Sequence, residues 1–131
     1  MGWTAKVTLR LGPKDAHYSG GLVAGAKILE LFGDAATALC LRETHGRDEG
    51  LFRAYDSVDF LKPVYAGDVL EATARIVRIG NTSRGMEFTA RKKGKGIVCR
   101  ASGTVVIPDK SSGPRDTSLR RGRLPKNRRP R

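Results

Sequence analysis

The chain opens on an alternation. Val7, Leu9 and Leu11 are apolar and the residues between them polar, the period-two pattern of a half-buried strand, and Gly12-Pro13 ends it. A polar, glycine-rich stretch, 14–21, follows. From residue 22 to about 43 the period changes: Leu22, Val23, Ala26, Leu29, Phe32, Ala36 and Leu39 recur at helical spacing. Ile28, Leu31, Ala35 and Leu41 widen that stripe beyond half the circumference, which predicts a helix buried on most sides. Lys27, Glu30, Asp34 and Thr37 lie three or four residues apart and share its one polar face.

Beyond a polar hinge at 44–50, strand patterns take over. Two short strands are expected at 51–58 and 59–65, then a turn at Ala66-Gly67-Asp68, a long alternating strand at 69–79 and a turn at 80–83. Strands at 86–91 and 97–107 flank Lys92-Lys93-Gly94-Lys95-Gly96, a basic hairpin. The order of one strand, one long helix and about five strands is an α+β pattern. An antiparallel sheet with one buried face, wrapped around one central helix, satisfies it.

Charge divides the chain. Residues 108–131 carry nine Lys or Arg against two acids, four of the six prolines and almost no apolar side chains. Such a segment buries too little surface to offset its ordering entropy, so residues 1–108 are expected to form the domain and 109–131 a basic, disordered tail. Salt-sensitive, nonspecific nucleic-acid binding would fall to that tail, but it lacks interleaved aromatics for base stacking, and no nucleic-acid partner is expected. No run of about 18 apolar residues is present, and the first residues lack the pattern of a signal peptide. Cys40 and Cys99 stand far apart in apolar runs and read as reduced, buried thiols of a cytoplasmic protein. Neither the cysteines nor the two histidines have metal-ligand spacing, so no metal is expected.

Four groups of residues together resemble a known family. They are Asp15-Ala16-His17-Tyr18-x-Gly20 leading into Leu22-Val23-x-Gly25-Ala26, then Phe32-Gly33-Asp34, then Phe60-x-x-Pro63-Val64-Tyr65-x-Gly67-Asp68, then Gly80-Asn81-x-Ser83. The chain is similar to hotdog-fold acyl-CoA enzymes, and more closely to the small CoA-ester ammonia-lyases of the 3-aminobutyryl-CoA and β-alanyl-CoA type. Pro63-Val64-x-x-Gly67-Asp68 is general to hotdog proteins, whereas Asp15-Ala16-His17-Tyr18-x-Gly20 with Gly33-Asp34 favours the lyases. The resemblance implies reversible elimination of ammonia from a 3-aminoacyl-CoA to a 2-enoyl-CoA, with coenzyme A as part of the substrate and no other cofactor. It also implies a homo-oligomer, at least a dimer, with a trimer of dimers compatible with the family. Thioester hydrolysis on the same scaffold is the alternative activity, and hydration of an enoyl-CoA a third.

Candidate residues follow from both sources. A carboxylate on a largely buried helix titrates high unless it is paired, and such groups gather at functional sites. Asp34 is therefore the first catalytic candidate, or else a structural partner of Lys27 or Arg53. Glu30, one turn earlier, is its helper or a contact between copies. His17, beside Tyr18 at the helix entrance, is placed to move protons near neutral pH, or else caps the helix. Gly20, Gly21 and Gly25 permit close backbone approach, and free amides at a helix start suit a thioester oxyanion. Asn81, Thr82, Ser83 and Arg84, with Lys92 and Lys93, are candidates for the pantetheine arm and phosphates of CoA, or are a solvated turn.

Overall fold

The computed structural model describes residues 3–108, and the expected tail lies outside them. Five strands and one long helix follow in the order β1 (Thr4–Arg10), α1 (Gly25–Glu43), β2 (Leu51–Phe60), β3 (Val69–Ile79), β4 (Ser83–Lys92) and β5 (Ile97–Val106). Every strand pairing is antiparallel, and the sheet order is β1-β3-β4-β5-β2. The helix lies on one face of this curved sheet, which is the expected hotdog arrangement.

The helix buries a regular face. Ile28, Leu31, Phe32, Ala35, Ala36, Leu39 and Cys40 are all buried, at the alternating steps of three and one that keep side chains on one side. From the sheet, Leu70, Ala72, Ala74 and Ile76 of β3 and Met86, Phe88 and Ala90 of β4 meet them. The centre is aromatic: Phe32 stacks on Phe88 at 5.2 Å, and Phe52 stacks on Phe88 at 5.5 Å. Rings offset in this way add roughly 1 kcal/mol per pair beyond the area they bury.

Four strands follow the helix, not five. The two short strands expected at 51–58 and 59–65 are one strand, β2, ending at Phe60. Its pairing with β5 shifts between Phe52 and Ala54 and again between Tyr55 and Ser57. Each shift inserts a residue, so the half-buried positions are Phe52, Tyr55 and Val58, spaced by three and not by two. The bulges bend β2 around the helix, and Gly103 makes room, since a Cβ there would lie 2.5 Å from the Ala54 carbonyl oxygen. Pro63, with no N–H to donate, stands just beyond the strand.

The helix is also less enclosed than its composition predicts. It begins at Gly25, while Val23 pairs across to Ala16 and Leu22 to Tyr65 as isolated bridges. Ala26 and Leu41, expected in the buried stripe, are exposed in the single chain, with Glu30 and Asp34 between them. One sheet covers only one side of a helix.

The two ends of the helix anchor different segments. At its N-terminal end stand the loop before α1, the segment after β2 and the β4–β5 hairpin: the Gly67 amide donates to the Leu11 carbonyl and the Lys93 amide to the Val69 carbonyl. At its C-terminal end stand the start of β1 and the β3–β4 turn, where Arg84 reaches Glu43.

Candidate active site

The loop before the helix is built from two 3-10 turns, Pro13–Asp15 and Ser19–Gly21. Gly20 and Gly21 have φ of 78° and 81°, a left-handed pair that only glycine adopts without strain. A Cβ at either would meet nothing within 4 Å, so these glycines serve the turn itself and leave open space beside it. The reversal puts the amides of both His17 and Tyr18 within hydrogen-bonding reach of the Leu22 carbonyl, at 2.9 and 3.1 Å. The two rings meet edge to face, 4.6 Å apart, and both side chains are exposed. His17 therefore neither caps the helix nor packs beneath the loop.

A charged latch ties this loop to the helix. Asp15 accepts from the Gly12 amide at 2.8 Å, and its other oxygen faces Lys27 Nζ at 3.4 Å. Lys27 also pairs with Glu30 at 3.1 Å. The Gly12 hydrogen bond, with Lys27 adding to it, holds the Asp15 carboxyl below its usual range, and Glu30 foremost pushes the Lys27 ammonium up. Asp15 and Lys27 were not among the expected site residues. The signal was present in the alignment of Lys27 with Glu30 one turn apart, but the partner in the loop was not visible.

Asp34 differs from expectation in its setting. It is exposed in the single chain, not buried, and it pairs with neither Lys27 nor Arg53. Among the described residues it makes no hydrogen bond or ion pair. It stands one turn beyond Glu30 on the solvent-facing strip of α1, whose first turn faces the His17 loop. Ala24, at the position preceding the helix, supplies no side-chain cap, but its carbonyl accepts from the Lys27 amide at 3.0 Å, which leaves the Gly25 and Ala26 amides without a partner in the helix.

Gly25 has a packing role. A Cβ there would stand 2.7 Å from the Phe60 ring, so this glycine lets Phe60 lie over the helix start and offers no room to a ligand. Tyr55 was also unforeseen: its hydroxyl donates to the Leu29 carbonyl at 3.1 Å, and burial pushes its pKa up to about 12.

The expected CoA contacts separate into two places. Asn81, Thr82, Ser83 and Arg84 lie at one end of β4 and Lys92 and Lys93 at the other, roughly 30 Å apart along a ten-residue strand. Within one chain they do not form one site. Arg84 is also committed: its Nε donates to both oxygens of Glu43 at 2.9 Å, and one terminal nitrogen donates to the Gly80 and Ser83 carbonyls. Those bonds fasten the β3–β4 turn to the helix C-terminus. Asn81 is exposed there, with Thr82 and Ser83 partly so. Among the described residues no group of three or more His, Cys, Asp or Glu is gathered closely enough to hold a metal ion.

Comparison with known proteins gives this geometry a family. The thioesterase superfamily model matches residues 20–99, more than half of the chain, and the chain belongs to that superfamily. It is 47% identical over 116 residues to the 3-aminobutyryl-CoA ammonia lyase of Acetoanaerobium sticklandii, an alignment spanning 76% of this chain and 90% of that protein. It superposes on the β-alanyl-CoA:ammonia lyase of Clostridium propionicum with a TM-score of 0.73 and 30% identity, over 83% of this chain and 92% of the other. A hexameric thioesterase from Yersinia pestis shares the fold, with a TM-score of 0.70 and 24% identity over 83% and 90% of the two chains.

Proposed function

We propose that this chain catalyses the reversible elimination of ammonia from a 3-aminoacyl-CoA, such as 3-aminobutyryl-CoA, to give the 2-enoyl-CoA. The observation that carries this reading is the 47% identity to a 3-aminobutyryl-CoA ammonia lyase across nine-tenths of that protein's length. The solvent-facing strip of α1 supports it chemically.

A base takes the proton from C2 of the thioester. The C2–H electron pair becomes the C2–C3 double bond, the C3–N bond breaks, and the substrate's ammonium leaves as ammonia. Asp34, the carboxylate with no partner of its own, is the base in this reading. Glu30 is half-compensated by Lys27 and helps Asp34 select a cationic acyl group. His17 relays the proton at the loop. The Ala26 amide, in the first turn of α1, receives the thioester oxygen as negative charge develops on it, an effect often worth about 3 kcal/mol per donor. In this reading coenzyme A enters as part of the substrate, ammonia is the co-product, and the chemistry calls for no further cofactor.

The same reading calls for at least a homodimer. β2 is an unpaired edge, and Leu51, Phe60 and Leu61 along it are 64%, 53% and 50% exposed. A second copy covers that edge and the Glu30–Asp34 strip together, and a trimer of dimers is the assembly proposed. The cytoplasm, where thiols stay reduced, is the compartment proposed.

The deciding experiment incubates the full chain with crotonyl-CoA and ammonium and follows the products by mass. The lyase reading requires the amine adduct and little free CoA. Rapid thiol release from a saturated acyl-CoA, with no adduct, would establish the thioesterase activity and end the lyase reading.

A further inference from the structure

Gly33 stands inside the 19-residue helix α1, a place where glycine is the least favourable residue apart from proline. Packing within the chain does not call for it. A Cβ at Gly25 or Gly103 would strike the Phe60 ring or the Ala54 carbonyl, but one at Gly33 would meet nothing within 4 Å apart from the backbone of its own helix. Conformation does not call for it either, since Gly33 is not among the glycines of positive φ. Alanine would fit there and would hold the helix better. The missing side chain therefore leaves a gap that the described residues do not fill.

Residues three and four apart are neighbours on a helix. The gap is thus bounded by Leu29 and Glu30 one turn before it and by Ala36 and Thr37 one turn after, with Asp34 next in the chain. Its flanks differ in chemistry. On the outward side stand the exposed carboxylates of Glu30 and Asp34. On the sheet side stands Leu29, partly buried against the core. Tyr55 is there too: its hydroxyl reaches the Leu29 carbonyl at 3.1 Å and ends beside the gap without entering it. A group matched to this place turns a cation to one side and a small alkyl branch to the other.

We propose that Gly33 determines acyl-chain specificity: the gap takes the alkyl substituent on C3 of the 3-aminoacyl group, while Glu30 and Asp34 face the ammonium on that same carbon. The inference rests on the lyase reading of the candidate site. Asp34 takes its proton from C2, so C3, one bond away, lies against the same stretch of helix. The two substituents of C3 then part. The ammonium turns to the carboxylates, and the methyl group of a 3-aminobutyryl chain enters the gap on its apolar side. A side chain at position 33 would occupy that methyl's room. It would discriminate against a substituted C3 and would do so more strongly as the substituent grows.

The test compares esters that differ only at C3. With ammonium as co-substrate, kcat/KM is measured for acryloyl-CoA, whose C3 carries hydrogen alone, and for crotonyl-CoA, whose C3 carries a methyl group. The proteins are the full chain, Gly33→Ala and Gly33→Val. Gly33→Ala lowers the ratio of crotonyl-CoA to acryloyl-CoA kcat/KM about tenfold, and Gly33→Val lowers it further. The melting temperature of Gly33→Ala rises by a few degrees, which separates the change in selectivity from damage to the fold. An unaltered ratio overturns the assignment, as does an equal loss for both esters. If that equal loss comes with a smaller oligomer by light scattering, the gap belongs to a second copy of the chain. If the unaltered chain forms no amine adduct from either ester, the lyase reading fails by itself, and calorimetry with butyryl-CoA and propionyl-CoA then decides the gap. A loss of butyryl-CoA affinity in Gly33→Val about tenfold greater than that of propionyl-CoA supports it, and equal changes refute it.

Discussion

The hydroxyl of Tyr55 donates to the main-chain carbonyl of Leu29 at 3.1 Å, tying a bulged edge strand to the middle of the helix. In a regular helix that carbonyl also accepts from the amide four residues on, which is Gly33, the neighbour of Asp34. The bond therefore fixes the helix just ahead of the proposed base. Tyr55→Phe removes one hydrogen bond and should cost about 1 kcal/mol at neutral pH. Burial, first, and the nearby Cys99 hold the phenol's pKa at about 12, above its usual 10. A folded pKa raised above the unfolded one means stability is intact below pH 10 and falls as pH rises from 10 towards 12. Urea denaturation of both proteins at pH 8, 10 and 11.5 should show their difference narrowing at the top, because only the wild type loses this contribution.

Asp34→Asn keeps size and hydrogen bonding and removes the charge. Ammonia addition to crotonyl-CoA should fall by roughly 10²–10⁴-fold, the range of general acid–base catalysis, with CoA affinity little changed. Combined with His17→Asn or Glu30→Gln, the losses should be strongly non-additive if the groups act as one proton-transfer unit. Activity near that of wild type in Asp34→Asn would make the carboxylate structural.

Lys27→Met cuts both arms of the latch that joins Asp15 to Glu30. The turnover number should drop several-fold and the melting temperature should fall modestly: Asp15, with 11% of its side chain exposed, loses its ion partner but keeps the Gly12 hydrogen bond, and the Lys27–Glu30 pair, open to water, contributes little. Hydrogen exchange should locate the change in residues 12–22. The Asp15 carboxyl lies below its ordinary value of 3.8, chiefly because it accepts from the Gly12 amide. A depressed folded pKa gives a contact that is complete above 3.8 and lost as pH falls through the lower folded value. The Gly12 amide resonance should follow that acid transition with a midpoint under 3.8.

Arg84 and Glu43 are mostly buried, with 12% and 14% of their side chains exposed. Removing one partner strands the other, so Arg84→Met or Glu43→Gln should each cost about 3 kcal/mol. The double change Arg84→Met/Glu43→Leu should recover part of that loss, which a double-mutant cycle by thermal denaturation will read. If Arg84→Met instead leaves stability intact and raises the KM for CoA esters, the guanidinium serves the substrate.

The long elements were legible because local periodicity specifies them. Strand β3 at 69–79 follows from alternation alone, and the buried face of α1 from apolar residues at helical spacing. β2 was not legible. Two bulges turn its inward positions to Phe52, Tyr55 and Val58, and a period of three within a strand mimics a break between two. Bulges form against a neighbouring strand, here around Gly103, so no local pattern announces them.

The candidate site divides in the same way. The residue types at the helix entrance and along its polar face were readable, as was a glycine-rich turn at 20–21. What surrounds them was not. Asp34 looked buried because its helix is apolar, yet it faces outward, since a helix lying on one sheet keeps a free side. Arg84 looked available because it sits in a polar turn, yet Glu43, forty-one residues away in sequence, holds it. Sequence by itself determined which side chains share a face and where the chain reverses, because both depend on neighbours within a few residues. Only the tertiary structure decided which charges are already paired and which end of the sheet each motif occupies, because pairing and placement depend on segments brought together from across the chain.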